Sequence, residues 1–153
     1  MAMVLNALKI DPDTNWKGIW RWYDDWNIKN FDYQNFNDKG MDMLEFHRTM
    51  NDNRADSMIF SPSENFSGLV PKYVKKGNLD LFKATVIACT RRSNFFLSVN
   101  YSRPALQQTG SGHFGPIAAY HWESERVLFL EVAKFKYDSY WCSIDELYKA
   151  MLP

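Results

Sequence analysis

Two apolar segments late in the chain, residues 113–121 and 127–135, constrain the fold more than any other feature. Hydrophobic side chains stand on both faces of each: Ile117 and Ala119 against Ala118 and Tyr120, then Val127 and Phe129 against Leu128 and Leu130. A strand repeats every two residues, so one that is apolar on both sides must be covered on both. The pair is therefore expected in the middle of a sheet, joined as a hairpin through residues 122–125. A further strand is expected over residues 95–101, and a short one over 57–60.

Helical spacing appears elsewhere. Leu79, Phe82, Val86 and Cys89 form one stripe over residues 79–90, and Met43, Leu44, His47 and Met50 another over residues 41–50. Residues 1–8 are good helix sequence with no capping side chain before them, so the chain is expected to open in mid-helix. The last helix is expected to start at Ser143, where Ser143-Ile144-Asp145-Glu146 has the form of a capping box ahead of Leu147 and Met151. Helices come first and strands cluster late. The fold class expected is α+β, with helices packed on a central antiparallel sheet.

Between these elements Asp11-Pro12-Asp13 breaks the first helix, and Trp16, Trp20, Trp22, Tyr23 and Trp26 follow closely. Such a run of aromatics is expected at a packed core edge, with a stacking platform for a ring ligand as the functional alternative. Residues 31–39, rich in Asn and Asp, read as loop, and residues 61–68, with Pro62 and Gly68, as a turn.

A length of 153 residues suits one domain with a real core. With 18 acidic and 18 basic side chains the net charge is zero, so no field gathers phosphates or anionic lipid. Nucleic acid and membrane are thus poor partners, and residues 1–8 are too short and lack the basic flank of a targeting segment. Cys89 and Cys142 show no paired spacing, which fits a reducing, cytoplasmic setting. Cys89 reads as core filling, and Cys142 as part of a loop before the last helix with nothing basic to activate it. His47 and His121 stand singly, without ligand spacing, so no metal site of the protein's own is expected.

Two groups do not suit a bland core: His113 at the start of one buried strand and Glu131 within the next. A buried carboxylate needs a partner, because unpaired burial of charge costs several kcal/mol in rough terms. Across a hairpin the two fall within a few residues of being opposite, and diagonal neighbours lie about 7–8 Å apart at Cα; the sequence does not fix the register, so it leaves open whether both share a face. A carboxylate that accepts from one imidazole nitrogen holds the ring so that the other can serve a nucleophile. A structural His–Glu hydrogen bond is the plainer alternative. Thr109-Gly110-Ser111-Gly112 immediately before His113 favours the site, since glycines keep side chains out of the space in front of the imidazole.

Longer motifs surround these residues. Gln108-Thr109-Gly110-Ser111-Gly112-His113-Phe114, Pro116-Ile117-Ala118-Ala119-Tyr120-His121 and Glu131-Val132-Ala133-Lys134-Phe135-Lys136-Tyr137 with Trp141 resemble the phytochelatin synthases. Near the start, Val4-Leu5-Asn6-Ala7-Leu8, Asp11-Pro12, Trp16-Lys17-Gly18 and Trp20-Arg21-Trp22-Tyr23 match the same family in the same order. Similarity is weak between about residues 27 and 88.

The resemblance implies a papain-like fold and a γ-glutamylcysteine dipeptidyl transpeptidase that makes phytochelatins from glutathione through a Cys-His-Asp/Glu acyl-enzyme. Heavy-metal ions (Cd, Zn, Cu) would enter as metal–thiolate complexes of the substrate or as activators. By this match His113 takes the place of the family's histidine, and Glu131 that of its aspartate. Lys134 stands where the family has a substrate-holding arginine, Tyr137 matches the tyrosine of the same region, and Gly112 lines the approach. The resemblance places the nucleophilic cysteine and oxyanion-hole residues ahead of Met1, and an acidic and a basic γ-glutamyl grip beyond Pro153. Residues 1–153 are therefore expected to be part of a catalytic domain, inactive alone, with a homodimer left open as its assembly. The alternative is a relative or fragment that only binds glutathione in a retained cleft.

Overall fold

The computed structural model describes residues 1–62 and 74–152. Most of the turn expected over 61–68 therefore lies outside the described residues. Length alone allows one domain; the chain divides into two compact units, Met1–Ile59 and Phe60–Pro153.

In the first unit α1 (Ala2–Ala7) buries Val4 and Leu5. The chain then runs without regular structure, and two asparagines hold it. Asn6 clamps Tyr23, donating to its carbonyl at 2.8 Å and accepting from its N–H at 2.8 Å. Asn53, fully buried, does the same for Lys29, at 3.0 Å each way. Side-chain amides here replace the ladder partners that irregular backbone lacks. Asp13, paired with Lys29 at 2.8 Å and with Arg54, has its carboxyl pushed down to about 2 by those hydrogen bonds.

Two expectations fail in this unit. Residues 31–39 contain a helix, α2 (Tyr33–Lys39), because the Asp32 side chain accepts from Asn35 N–H as an N-cap. The indole-rich stretch is not a packed core edge: Trp16, Trp20, Trp22 and Trp26 are 50–81% exposed, while Tyr23 is buried. Trp16 and Trp20 close a tight turn through Gly18 (φ +58°), and no helical or strand period gathers the indoles on one side. The helix expected over 41–50 is present as α3 (Met43–Asp52), started by a capping box between Asp42 and Glu45.

The short strand β1 (Ile59–Ser61) pairs with β2 (Val74–Lys76). In the second unit β3 (Leu97–Ser102), β4 (Gly112–His121), β5 (Arg126–Phe129) and β6 (Tyr140–Ser143) form an antiparallel sheet in that order. The two strands that are apolar on both faces, β4 and β5, are its central pair. Helices α4 (Leu79–Thr90) and α5 (Ile144–Met151) pack on β4 and β3 respectively. The buried cluster joins Val86, Ile144, Leu147 and Ala150 of the helices to Val99, Tyr101, Ile117, Val127 and Phe129 of the sheet.

Register explains which residues share that face. Tyr101 lies opposite His113, Val99 opposite Gly115, and Ile117 opposite Phe129. Gly115 makes the packing possible: a side chain there would run into the Phe129 ring, whose Cε1 would lie 2.8 Å away.

Three sequence expectations need correction here. Ser143 flanks α5 but makes no side-chain cap, and the Ile144 N–H goes to the Glu125 carbonyl at 3.0 Å. Cys142 lies on β6 opposite Val127 rather than in a loop. The second late strand ends at Phe129, not at residue 135. Leu130 N–H still reaches the Pro116 carbonyl at 2.9 Å, but Glu131 N–H then goes to Ser139 Oγ and Ala133 N–H to the Glu131 carboxylate. Side-chain acceptors outcompete the ladder, and the chain turns away.

Candidate functional site

At one end of the core face of the sheet the apolar cluster gives way to a buried polar network. His113 enters β4 opposite Tyr101, whose ring meets the imidazole edge-on at 5.8 Å. Glu131, fully buried, lies two residues beyond β5. Its Oε1 is 2.6 Å from His113 Nε2, so the face-sharing that sequence leaves open is present. The same carboxylate accepts from Ala133 N–H at 2.7 Å.

A third member is Arg103, only 3% exposed, which follows β3 and leads into the short 3-10 turn Pro104–Leu106. Its Nη2 lies 3.1 Å from each oxygen of Glu131 and 3.0 Å from His113 Nε2. Nη1 donates to Gln108 Oε1 at 2.9 Å, which also accepts from the Tyr101 hydroxyl at 3.0 Å; that hydroxyl meets Tyr140 OH at 2.8 Å. Burial pushes both tyrosine hydroxyls up, Tyr101 furthest.

Sequence reasoning missed Arg103. Its signal was the demand itself: a buried carboxylate calls for a cation, which a neutral imidazole is not, and Arg103 comes directly after the strand that pairs with that of His113.

The Glu131 contact engages Nε2, and among the described residues Nδ1 of His113 has no hydrogen-bond partner. The side chain is 13% exposed, so one edge of the ring reaches the surface. Desolvation holds the imidazole below its ordinary pKa; Glu131 opposes this, while Arg103 and Lys136 reinforce it. A neutral ring with an unengaged nitrogen can accept a proton at neutral pH.

The remaining predicted residues lie around this centre. Gly112 is exposed, and a side chain there would meet nothing nearer than Asn100 Oδ1 at 3.7 Å. Gly110 plays a different part. At φ +115° it leaves room for the Arg103 stem, whose Cδ would lie 3.1 Å from an added Cβ. The Tyr137 hydroxyl accepts from Thr109 N–H at 2.8 Å, and its ring lies under the Arg103 guanidinium at 5.3 Å. Lys134 is turned to Ser139, donating to Oγ at 3.2 Å, rather than to the His113–Glu131 pair.

Neither cysteine is poised to react. Burial pushes the Cys89 thiol up despite Arg92, and pushes Cys142 up to about 11 with help from Glu146. Among the described residues no group of three or more His, Cys, Asp or Glu side chains is placed to hold a metal ion. No helix among them is long and apolar enough to cross a membrane.

A family model described as phytochelatin synthase matches residues 1–153. The chain is similar to a Schizosaccharomyces pombe protein named glutathione gamma-glutamylcysteinyltransferase, at 35% identity over 100% of this chain and 34% of that protein. It is similar to glutathione gamma-glutamylcysteinyltransferase 2 of Arabidopsis thaliana at 32% identity, over 99% of this chain and 31% of the relative. With glutathione gamma-glutamylcysteinyltransferase 3 of Lotus japonicus it shares 34% identity over 99% of this chain and 29% of the relative. The chain thus spans about a third of the length of these curated relatives.

Proposed function

The chain belongs to the phytochelatin synthase family, and from that premise we propose that it supplies the histidine and carboxylate of a γ-glutamylcysteine dipeptidyl transpeptidase acting on glutathione. The observation that carries this reading is the 2.6 Å contact of Glu131 Oε1 with His113 Nε2, which among the described residues leaves Nδ1 unengaged on a ring that is partly exposed. The residues form part of a papain-like catalytic domain in the cytoplasm. The nucleophile is a cysteine outside these 153 residues, a reading supported by the raised thiols of Cys89 and Cys142.

In this mechanism His113 Nδ1 takes the thiol proton, and the thiolate attacks the carbonyl of the cysteinyl–glycine bond. The carbon–nitrogen bond breaks, the proton passes from His113 to the leaving amine, and glycine departs from a γ-glutamylcysteinyl thioester. The amine of a second glutathione, or of a growing phytochelatin, then attacks the thioester. His113 takes the amine proton and returns it to the sulfur, so the enzyme is regenerated. Glu131 orients the ring throughout. Heavy-metal ions such as cadmium, zinc and copper enter as thiolate complexes of the substrate. Gly112 keeps the approach open, and Lys134 and Tyr137 contact the second substrate, Lys134 after leaving Ser139.

The test uses the longest reading frame that contains the chain, incubated with glutathione and cadmium, with products read by mass spectrometry. Oligomers of γ-glutamylcysteine that disappear with His113→Ala are the expected result. No such oligomers from the unaltered protein overturns the transferase reading. The 153 residues alone are expected to give none, and turnover by them would overturn an external nucleophile.

A second reading, a cleft that binds glutathione without turning it over, is favoured by Lys134 resting on Ser139. It predicts glutathione binding by calorimetry in a protein that forms no product.

A further inference from the structure

Three groups with unequal hydrogen-bonding powers meet at Glu131. Arg103 has only donors, the carboxylate only acceptors, and His113 Nε2 is either, according to where its proton sits. At 2.6 Å a hydrogen must lie between Nε2 and Oε1, carried by one or the other. The guanidinium decides which. With Nη2 at 3.1 Å from both carboxylate oxygens, a positive charge faces Glu131 where protonation would have to neutralise it.

We propose that Arg103 is a positioning residue which, by holding both oxygens of Glu131 as acceptors, fixes His113 as the Nε2–H tautomer and so directs its basic Nδ1 to the surface. This rests on the reading of His113 as the base, and it adds to that reading what sets the base's direction. The 3.0 Å approach of Nη2 to Nε2 is then a meeting of two donors, both aimed at the carboxylate.

The guanidinium is built in rather than incidental. Gln108 fixes its second nitrogen, Tyr137 lies against its face, and Gly110 makes room for its stem. One nitrogen, Nη2, spans both oxygens while Gln108 anchors the other, so a lysine would keep the charge but lose the second nitrogen that holds the group in place. Among the described residues the charged and titratable groups facing His113 are Tyr101 from β3, Arg103 after it, Glu131 after β5, and Lys136 from the following loop.

The experiment is nitrogen NMR of the 153-residue chain labelled with 15N-histidine, recorded through a pH titration with no substrate. Unaltered protein is expected to show neutral His113 protonated at Nε2 and bare at Nδ1. In Arg103→Gln the His113 midpoint is expected to move up, because a neighbouring positive charge is gone. Arg103→Lys should leave the midpoint near the original while mixing the two tautomers. A wild-type ring protonated at Nδ1, or a pure Nε2–H tautomer in Arg103→Lys, overturns the proposal, as does an unmoved midpoint in Arg103→Gln. Should the Gln variant not fold, the wild-type spectrum and the Lys variant still decide. None of these readings needs turnover. Failure of the transferase assay and failure of this proposal are therefore separate results.

Discussion

Two histidines, a buried one in the first unit and a half-buried one in the second, show how differently the same ring is used. His47 on α3 is 6% exposed, with Nδ1 2.7 Å from Ser57 Oγ and Nε2 3.1 Å from the Asn51 amide. Asn51 Oδ1 in turn accepts from Ser57 N–H and Oγ, so both ring nitrogens are engaged in one cluster. Among the described residues His113 is engaged on one nitrogen only, by a carboxylate that a buried arginine also holds. The first arrangement fixes a helix to the chain that follows it. The second buries an ion pair that must be desolvated, and among the described residues it leaves one nitrogen without a partner. An unspent valence beside buried charge distinguishes a candidate site from a structural cluster.

The largest effect should separate the two rings by chemistry. In the longest reading frame containing the chain, His113→Ala should lower γ-glutamylcysteinyl transfer by at least about 10²–10⁴-fold, the usual worth of a proton-transferring group. His47→Ala should leave turnover per folded molecule unchanged. Equal losses would break the contrast. Next comes Arg103→Met, which strands the Glu131 carboxylate and should cost about 3–5 kcal/mol in chemical unfolding, as losing one partner of a buried pair does. Arg54→Met, at an ion pair about half exposed, should barely move the unfolding midpoint. His47→Ala comes third, at about 1–3 kcal/mol, because it removes a partner from both Ser57 and Asn51. A smaller loss than for Arg54→Met would show His47 to be dispensable packing.

The sheet and α4 were legible because their signals are local. The stripe of Leu79, Phe82, Val86 and Cys89 marked α4, and the structure starts that helix at Asn78, which accepts from Leu81 N–H. Double-faced hydrophobicity marked β4 and β5 as central. What failed was competition between side chains and backbone. Asp32 converts a loop-like composition into α2, and the Glu131 carboxylate, by taking Ala133 N–H, helps turn the chain away after Leu130. In the site, sequence paired His113 with Glu131 because both stand out in adjacent apolar strands. Arg103 stood out in nothing: it follows an ordinary strand, and its meaning depends on a residue 28 positions later. The glycine run was legible as cleared space but not as to whose. Gly110 clears it for Arg103 rather than for the front of the imidazole.

The smallest effect, and the most direct on His113, is on stability against pH. Its folded pKa lies below the ordinary 6.5, chiefly because the ring is desolvated, with Arg103 and Lys136 adding to the effect against Glu131. In the unfolded chain the ring titrates near its ordinary value, so between the two values the unfolded state binds the extra proton. Stability from this group is therefore fully present above about pH 6.5 and is lost as pH falls through the folded value. One proton limits the slope to about 1.4 kcal/mol per pH unit. Denaturant unfolding at a series of pH values should show this fall in the unaltered chain, and His113→Gln should remove it from the difference curve. If the difference curve instead rises with acid, His113 gains charge readily in the fold. The imidazole would then be the cation in an ion pair with Glu131, a structural group like His47 and no base at neutral pH.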